Sequence, residues 1–484
     1  MSLQYLNPLG DQQQATRRLE FQAVILAGGD DHVSQVYPLL DSTTGSCMAF
    51  LPLVNRPLLY YQLALLQKSG FDTAIVAIEK QHRKLVEDLL VQFTFTIKVD
   101  LFHPNLPEWD SGYVLKQLAH LITTDFLVVS GDLINEVNID DLADVHRVRD
   151  ASCTILLKEI EPANTVVDKK VPFNLTNCHS QDQVPVYFGL EHSGPHLSDH
   201  RVVYVKSSSE REDGSCLVGR NLLVKCPKLV LHSNLIDSHL YLFKRWVLDL
   251  IVEGNYPSLS EDLLPALVSL IQSDQLREKF ASKYPAIYHK ALSAQSVAHS
   301  LSISSLNQLI PNTDSRRIQV FAYVCPYKNS MFCERLTSFQ SYGAINMALL
   351  EHSPSMESTP WDPFVSCVPL AVGDQESITT KRNLVIKSIL GKNCQLHPTT
   401  SLSSCIVGDN CQIGANCKLT KCILLPGCVI EDGCQLQYCV LSNHVTIRKK
   451  STLSRCSFGP KYVMDAESDH QNPKQFVEFV RDQE

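Results

Sequence analysis

Two glycines and one aspartate are the residues in the N-terminal part of this chain whose types and positions could do chemistry. Gly28 and Gly29 follow the apolar run Phe21 to Ala27, and Asp132 ends the run FLVVSGD. Glycines directly after a strand let backbone amides approach a phosphate, and a carboxylate at the end of a neighbouring strand can hold a magnesium ion. Both features have plainer readings. A glycine pair also makes a tight turn, and an aspartate after a strand also caps a helix. One carboxylate is a weak site for an ion that requires octahedral oxygens from several ligands. No metal site and no cofactor is therefore expected, and Asp132 is expected to cap the helix begun by NIDDLADVHRV.

The elements that would position these residues alternate in type. FQAVILAGG reads as a strand. PLLYYQLALLQKSG reads as a helix with Leu59, Leu63 and Leu66 on one face, Pro57 in its first turn and Gly70 at its stop. Strand DTAIVAIE, helix HRKLVEDLLVQF and strands TIKVDLF and FLVVSGD follow. Strands alternating with amphipathic helices imply a mostly parallel, Rossmann-like sheet covered on both faces. Ligands of such sheets bind beyond the carboxyl ends of the strands, where Gly28, Gly29 and Asp132 would converge. Further on, residues 275–283 read as helix and 318–324 as strand. LIDSHLYLFKRWVLDLI reads as a strand and an amphipathic helix, either core or a partly exposed contact face.

The C-terminal region repeats itself. Four consecutive 17-residue units run from Ile389 to Cys456, and aliphatics recur at positions two, eight and fourteen of each: Leu390/Val407/Leu424/Leu441, Leu396/Ile413/Ile430/Ile447 and Leu402/Leu419/Leu436/Leu453. No α-helix has steps of six, six and five, whereas a coil of three short strands does, so a parallel β-helix is expected. Its open ends need covers, and the tail from Pro460 onward is one candidate, beside the preceding domain or a partner chain.

Nine of the 17 cysteines lie in this region, in the columns Cys394/Cys411/Cys428, Cys417/Cys434 and Cys405/Cys422/Cys439/Cys456. The first two columns are completed by Val445 and by Thr400 and Ser451, and no C-x-x-C pair occurs. These cysteines read as packing groups rather than zinc ligands. With 484 residues, 44% hydrophobic and 19% charged, the chain suits two or three globular domains. Its net charge of −8 argues against a general nucleic-acid binder. The first 18 residues lack an apolar signal core and no uncharged run is long enough to span a bilayer, so a cytosolic protein is expected.

LAGG at Leu26 to Gly29, LPLVNRPLLYY at Leu51 to Tyr61, VVSGDL at Val128 to Leu133 and the repeats of hexapeptide-like steps together resemble the sugar-nucleotide pyrophosphorylases. The resemblance implies a nucleotidyltransferase-like α/β domain followed by a left-handed β-helix. Those enzymes place a Gly-x-Arg segment after the glycines and a Pro-Lys-Pro-Leu segment before the first helix. Here the corresponding residues are Asp30, Asp31, His32 and Val33, and Cys47, Met48, Ala49 and Phe50. Both cations are gone. Transfer at a phosphorus needs groups that neutralise developing charge, so the resemblance implies a degenerate fold with no catalytic residue and a vestigial nucleotide pocket at Gly28, Gly29 and Asp132.

A disarmed pyrophosphorylase fold with a β-helix is similar to the gamma and epsilon subunits of eukaryotic translation initiation factor 2B. The stretches 130–157, 235–251, 258–268 and 320–350 favour the gamma type. Epsilon carries an exchange domain after its β-helix, for which the 25 residues beyond Gly459 are too few. The resemblance thus implies a non-catalytic partner of epsilon, assembled with alpha, beta and delta subunits and acting on initiation factor 2. The competing reading is an active sugar-1-phosphate nucleotidyltransferase of the GDP-mannose pyrophosphorylase kind. Expected limits are a tail to residue 18, the nucleotidyltransferase-like domain over 19–350 with an irregular insert at 164–212, a linker over 351–384, the β-helix over 385–460 and a tail over 461–484.

Overall fold

The computed structural model describes residues 20–28, 36, 39, 47–93, 95–105, 109–160, 173, 186–192, 199–207, 218–292, 318–326, 332–351, 385–470 and 474–476. The N-terminal tail, Gly29 to Val33, about two thirds of the insert at 164–212 and nearly all of the linker at 351–384 lie outside them; the described part of the insert is not irregular, because Val186–His192 and Asp199–Ser207 are paired strands of the main sheet. The chain forms two compact units. One comprises Met1–Gly28, Leu65–Pro162 and Gln183–Glu334, the other Gly29–Ala64, Ala163–Asp182 and Arg335–Glu484.

The first unit is built on a ten-stranded sheet. From one edge the order is Leu229–His232, Val186–His192, Asp199–Ser207, Val320–Cys325, Cys153–Glu159, Leu235–Phe243, Asp125–Ser130, Phe21–Leu26, Thr73–Ala77 and Lys98–Phe102. The last four strands are mutually parallel, as the alternation of strands and helices implies. Leu235–Phe243 enters antiparallel between Asp125–Ser130 and Cys153–Glu159. Val320–Cys325 then pairs parallel with Cys153–Glu159, and the remaining edge strands are antiparallel. Central strands are covered on both faces and therefore read as unbroken apolar runs: Leu127, Val128 and Val129 are each 1% exposed or less.

Helices Ser111–Leu118, Arg245–Glu253 and Leu264–Gln272 contribute Leu115, Trp246, Leu250 and Leu267 to one core with Phe126, Tyr241 and Phe243. Each such side chain contributes about 1.5–3 kcal/mol when fully buried. The segment LIDSHLYLFKRWVLDLI is therefore core. The helix Leu58–Lys68 buries Leu59, Leu63 and Leu66 completely, and Gly70 stops it with φ of +79°, a conformation that costs a glycine little. Pro57 precedes that helix in the short strand Arg56–Pro57.

The second unit contains the left-handed parallel β-helix. Its three sheets have six, six and five strands, all parallel, and neighbouring coils pair at the 17-residue step: Val407 with Leu424, Ile413 with Ile430, Leu419 with Leu436. All three aliphatic columns point inward, and only the first coil's Leu390 and Leu396 are incompletely covered. Corners fall in columns too. Asn393, Asn410, Gly427, His444 and Lys461 all have positive φ, as do Asn416, Gly433, Lys450 and Glu467. Asn and Gly tolerate that region best, and the other corner residues are held there by the ladder on either side. Coiling continues beyond residue 460, through Val463–Met464, Asp469–His470 and Lys474–Phe476. Met464 extends the interior, so this part of the expected tail adds a further coil to the solenoid. Among the described residues no helix is long and apolar enough to cross a membrane.

Candidate functional site

At the carboxyl ends of the two central parallel strands Leu26 lies opposite Ser130, and the chain then turns at Gly28 on one strand and at Gly131 and Asp132 on the other. The two turns are joined directly. Gly131 N donates to Leu26 O at 2.7 Å, and Ala27 N donates to Ala77 O at 2.9 Å on the next strand. A Cβ at Gly131 would stand 2.5 Å from Leu26 O and 2.9 Å from Ala27 Cα, so only glycine permits this approach. Gly28 and Asp132 are thus brought to the same edge of the sheet, where an α/β fold holds its ligands. Gly29 lies outside the described residues.

Asp132 is 2% exposed and does not cap the helix that follows it. That helix, Ile139–Val148, is capped by Asn138, whose side chain accepts from Asp140 N. The correction has a simple cause: a cap must immediately precede the first turn, and six residues separate Asp132 from Ile139. Sequence reasoning also missed Gly131 and Trp109. The signal for Gly131 was its place directly after a strand flanking the glycine turn. Trp109, alone in a loop, gives no periodic signal. Its six-membered ring lies on Gly28: a Cβ there would stand 2.3, 2.5 and 2.6 Å from Cη2, Cζ3 and Cζ2.

Within the second unit, Met48 begins the 3-10 turn Met48–Phe50, with Cys47 before it. Both side chains are buried. An uncharged thioether in a buried turn offers nothing to an anion. The hairpin that follows is clamped by the same unit: Val54 N donates to Asn346 Oδ1 at 2.9 Å, Tyr342 OH to Pro52 O at 2.7 Å and Asn55 Nδ2 to Val407 O at 2.8 Å.

The cysteine columns form no comparable site. Cys394, Cys411 and Cys428 each donate to the carbonyl 14 residues on, at 3.0, 3.4 and 3.1 Å. Cys417 and Cys434 do the same, as do Thr400 and Ser451, which replace cysteine in that column. Each of these five thiols is a small buried donor stitching one coil to the next, a task a hydroxyl also performs, whereas Cys405 and Cys422 donate to the carbonyl two residues back. All described cysteines are buried and outside disulfides.

Comparison with known proteins places names beside this geometry. A family model described as "Nucleotidyl transferase" matches residues 22–165, which include Gly28, Gly29, Trp109 and Asp132. A second, "EIF2B subunit epsilon LbH domain", matches residues 372–466, the left-handed β-helix. "Translation initiation factor eIF2B subunit gamma" of Dictyostelium discoideum is 27% identical over 405 residues, covering 78% of this chain and 88% of that protein. The protein of the same description from Schizosaccharomyces pombe is 25% identical over 342 residues, covering 69% and 67%. Over most of its length, then, the chain is similar to gamma subunits of translation initiation factor eIF2B, with a nucleotidyl transferase domain followed by a left-handed β-helix domain.

Proposed function

We propose that the chain is a non-catalytic subunit of the initiation factor 2B complex, the guanine nucleotide exchange factor for initiation factor 2 in translation initiation. In this reading it works in the cytosol, pairs with the catalytic epsilon subunit and assembles with alpha, beta and delta subunits. The observation that carries the proposal is the similarity to two eIF2B gamma subunits across both parts of the chain. The sequence at the positions of the pyrophosphorylase pattern supports it. Met48 stands where the pyrophosphorylase pattern has a lysine, and Asp30 and Asp31 stand in place of Gly-x-Arg. Removing a group that stabilises a reacting phosphoryl oxygen typically costs about 3–4 kcal/mol of transition-state stabilisation, and two carboxylates add repulsion. Gly28, Gly29 and Asp132 are, on this proposal, a vestigial nucleotide pocket, and the domain limits drawn from the sequence, with the β-helix carried on to Phe476, are part of the same reading.

One observation favours the alternative of an active sugar-1-phosphate nucleotidyltransferase: the nucleotidyl transferase family model covers the whole glycine and aspartate crevice. Two measurements separate the readings. Affinity purification from the native cell is expected to recover the other initiation factor 2B subunits; recovery of a homo-oligomer alone overturns the proposal. Pyrophosphate release from GTP or UTP with a sugar 1-phosphate is expected to stay at background, both in the wild type and in Met48→Lys. Turnover lost on Asp132→Ala would show an enzyme.

A further inference from the structure

We propose that the turn at Gly28 is a ring-shaped slot for a nucleobase and that Trp109 is its resident occupant, a plug supplied by the chain itself. The proposal rests on reading Gly28 as a former nucleotide turn and adds steric exclusion to the charge argument. Three consecutive atoms of one six-membered ring, Cζ3, Cη2 and Cζ2, lie nearly equidistant from the point where a Gly28 side chain would begin. A glycine beside a flat ring is the arrangement by which a backbone receives an aromatic ligand, and here the ring is covalently the protein's own.

The plug is anchored. Trp109 packs on the main core of its unit, and two residues later the helix Ser111–Leu118 is pinned at Gly112, whose N–H donates to Pro257 O at 2.6 Å. A Cβ at Gly112 would fall 1.9 Å from Tyr256 O, so the helix start cannot shift outward without breaking that contact. A ring held so close to a fixed helix start fills the slot as part of the fold. Neither the similarity to eIF2B gamma subunits nor the loss of cations requires this.

The test uses the full-length chain and uncharged probes, so that phosphate repulsion at Asp30 and Asp31 plays no part. Uridine and indole are titrated by calorimetry into wild type, Trp109→Phe and Trp109→Ala, with thermal melting as the folding control. Wild type and Trp109→Phe, which keeps a ring in place, are expected to show no heat. Trp109→Ala is expected to bind both probes at least about tenfold more tightly than wild type. Uridine binding to wild type, or equal binding to the Phe and Ala variants, overturns the plug. Indole binding without uridine binding in Trp109→Ala overturns the nucleobase assignment. Background pyrophosphate release beside any of these results leaves the proposed function standing, so the two readings fail separately.

Discussion

His146 lies wholly inside the first unit, with Nδ1 2.9 Å from Thr154 Oγ1. Burial, with smaller contributions from the Lys244 and Arg147 charges, pushes its pKa down to about 3. The folded chain refuses a proton that the unfolded chain accepts below about pH 6.5. The unfolded state therefore binds more protons as pH falls, and this contribution to stability, complete above pH 6.5, drains away toward pH 3 at up to about 1.4 kcal/mol per pH unit. Urea denaturation at pH 7 and pH 5 is expected to show that loss in wild type. His146→Gln, which keeps a hydrogen-bonding group for Thr154, is expected to flatten it, and an unchanged slope would remove His146 from the acid limb. Nothing in the sequence announces this residue. Its helix pattern marks position 146 as inward, but the depressed pKa comes first from the depth of burial under neighbouring elements and then from the charges of Lys244, on another turn, and Arg147 beside it.

Among the elements, the coils were the most legible, because one coil repeats the same inward positions and errors in one unit are corrected by the next. Ile413→Asp places an unpaired carboxylate in a column where Ile430 and Ile447 lie above it and costs several kcal/mol. A melt monitored by circular dichroism is expected to show the β-helix unfolding well below the wild-type temperature; an unchanged melt would contradict the column. The hairpin tip at Val54 and Asn55 was not legible. Both have positive φ, at 48° and 62°, and for a β-branched valine that backbone is strained. It persists because Asn346, some 290 residues away in sequence, accepts from Val54 N. Asn346→Leu removes that acceptor and is expected to cost about 1–3 kcal/mol, measured by the denaturation midpoint. The strand Leu235–Phe243 shows the same limit. Its apolar run marks it as buried, while its antiparallel insertion between two other strands depends on pairings no local pattern encodes.

At the scale of the whole molecule, the order of a nucleotidyl transferase domain and a β-helix was readable, since each rests on its own periodicity. The grouping of Gly29–Ala64 with Arg335–Glu484 was not, because hydrogen bonds such as Asn55 to Val407 join residues 352 positions apart. The candidate site divides in the same way. Gly28 and Asp132 were visible as residues after strands, whereas Trp109 and Gly131 matter through contacts that exist only once the strands are adjacent. The solenoid carries one last implication. The thiols of Cys394, Cys411, Cys428, Cys417 and Cys434 and the hydroxyls of Thr400 and Ser451 reach 14 residues forward, and from Val385 to Met464 its strands pair 17 residues on, so the construction is indifferent to how many turns it holds. Tandem duplication of one whole turn would lengthen the rod by a single layer and leave each interior contact type intact, whereas one extra amino acid among the 17-residue steps between Ile389 and Met464 would shift the following side chains out of their stack; the 18-residue step falls at the terminal strand Lys474–Phe476. Length variation among relatives should therefore come in complete layers.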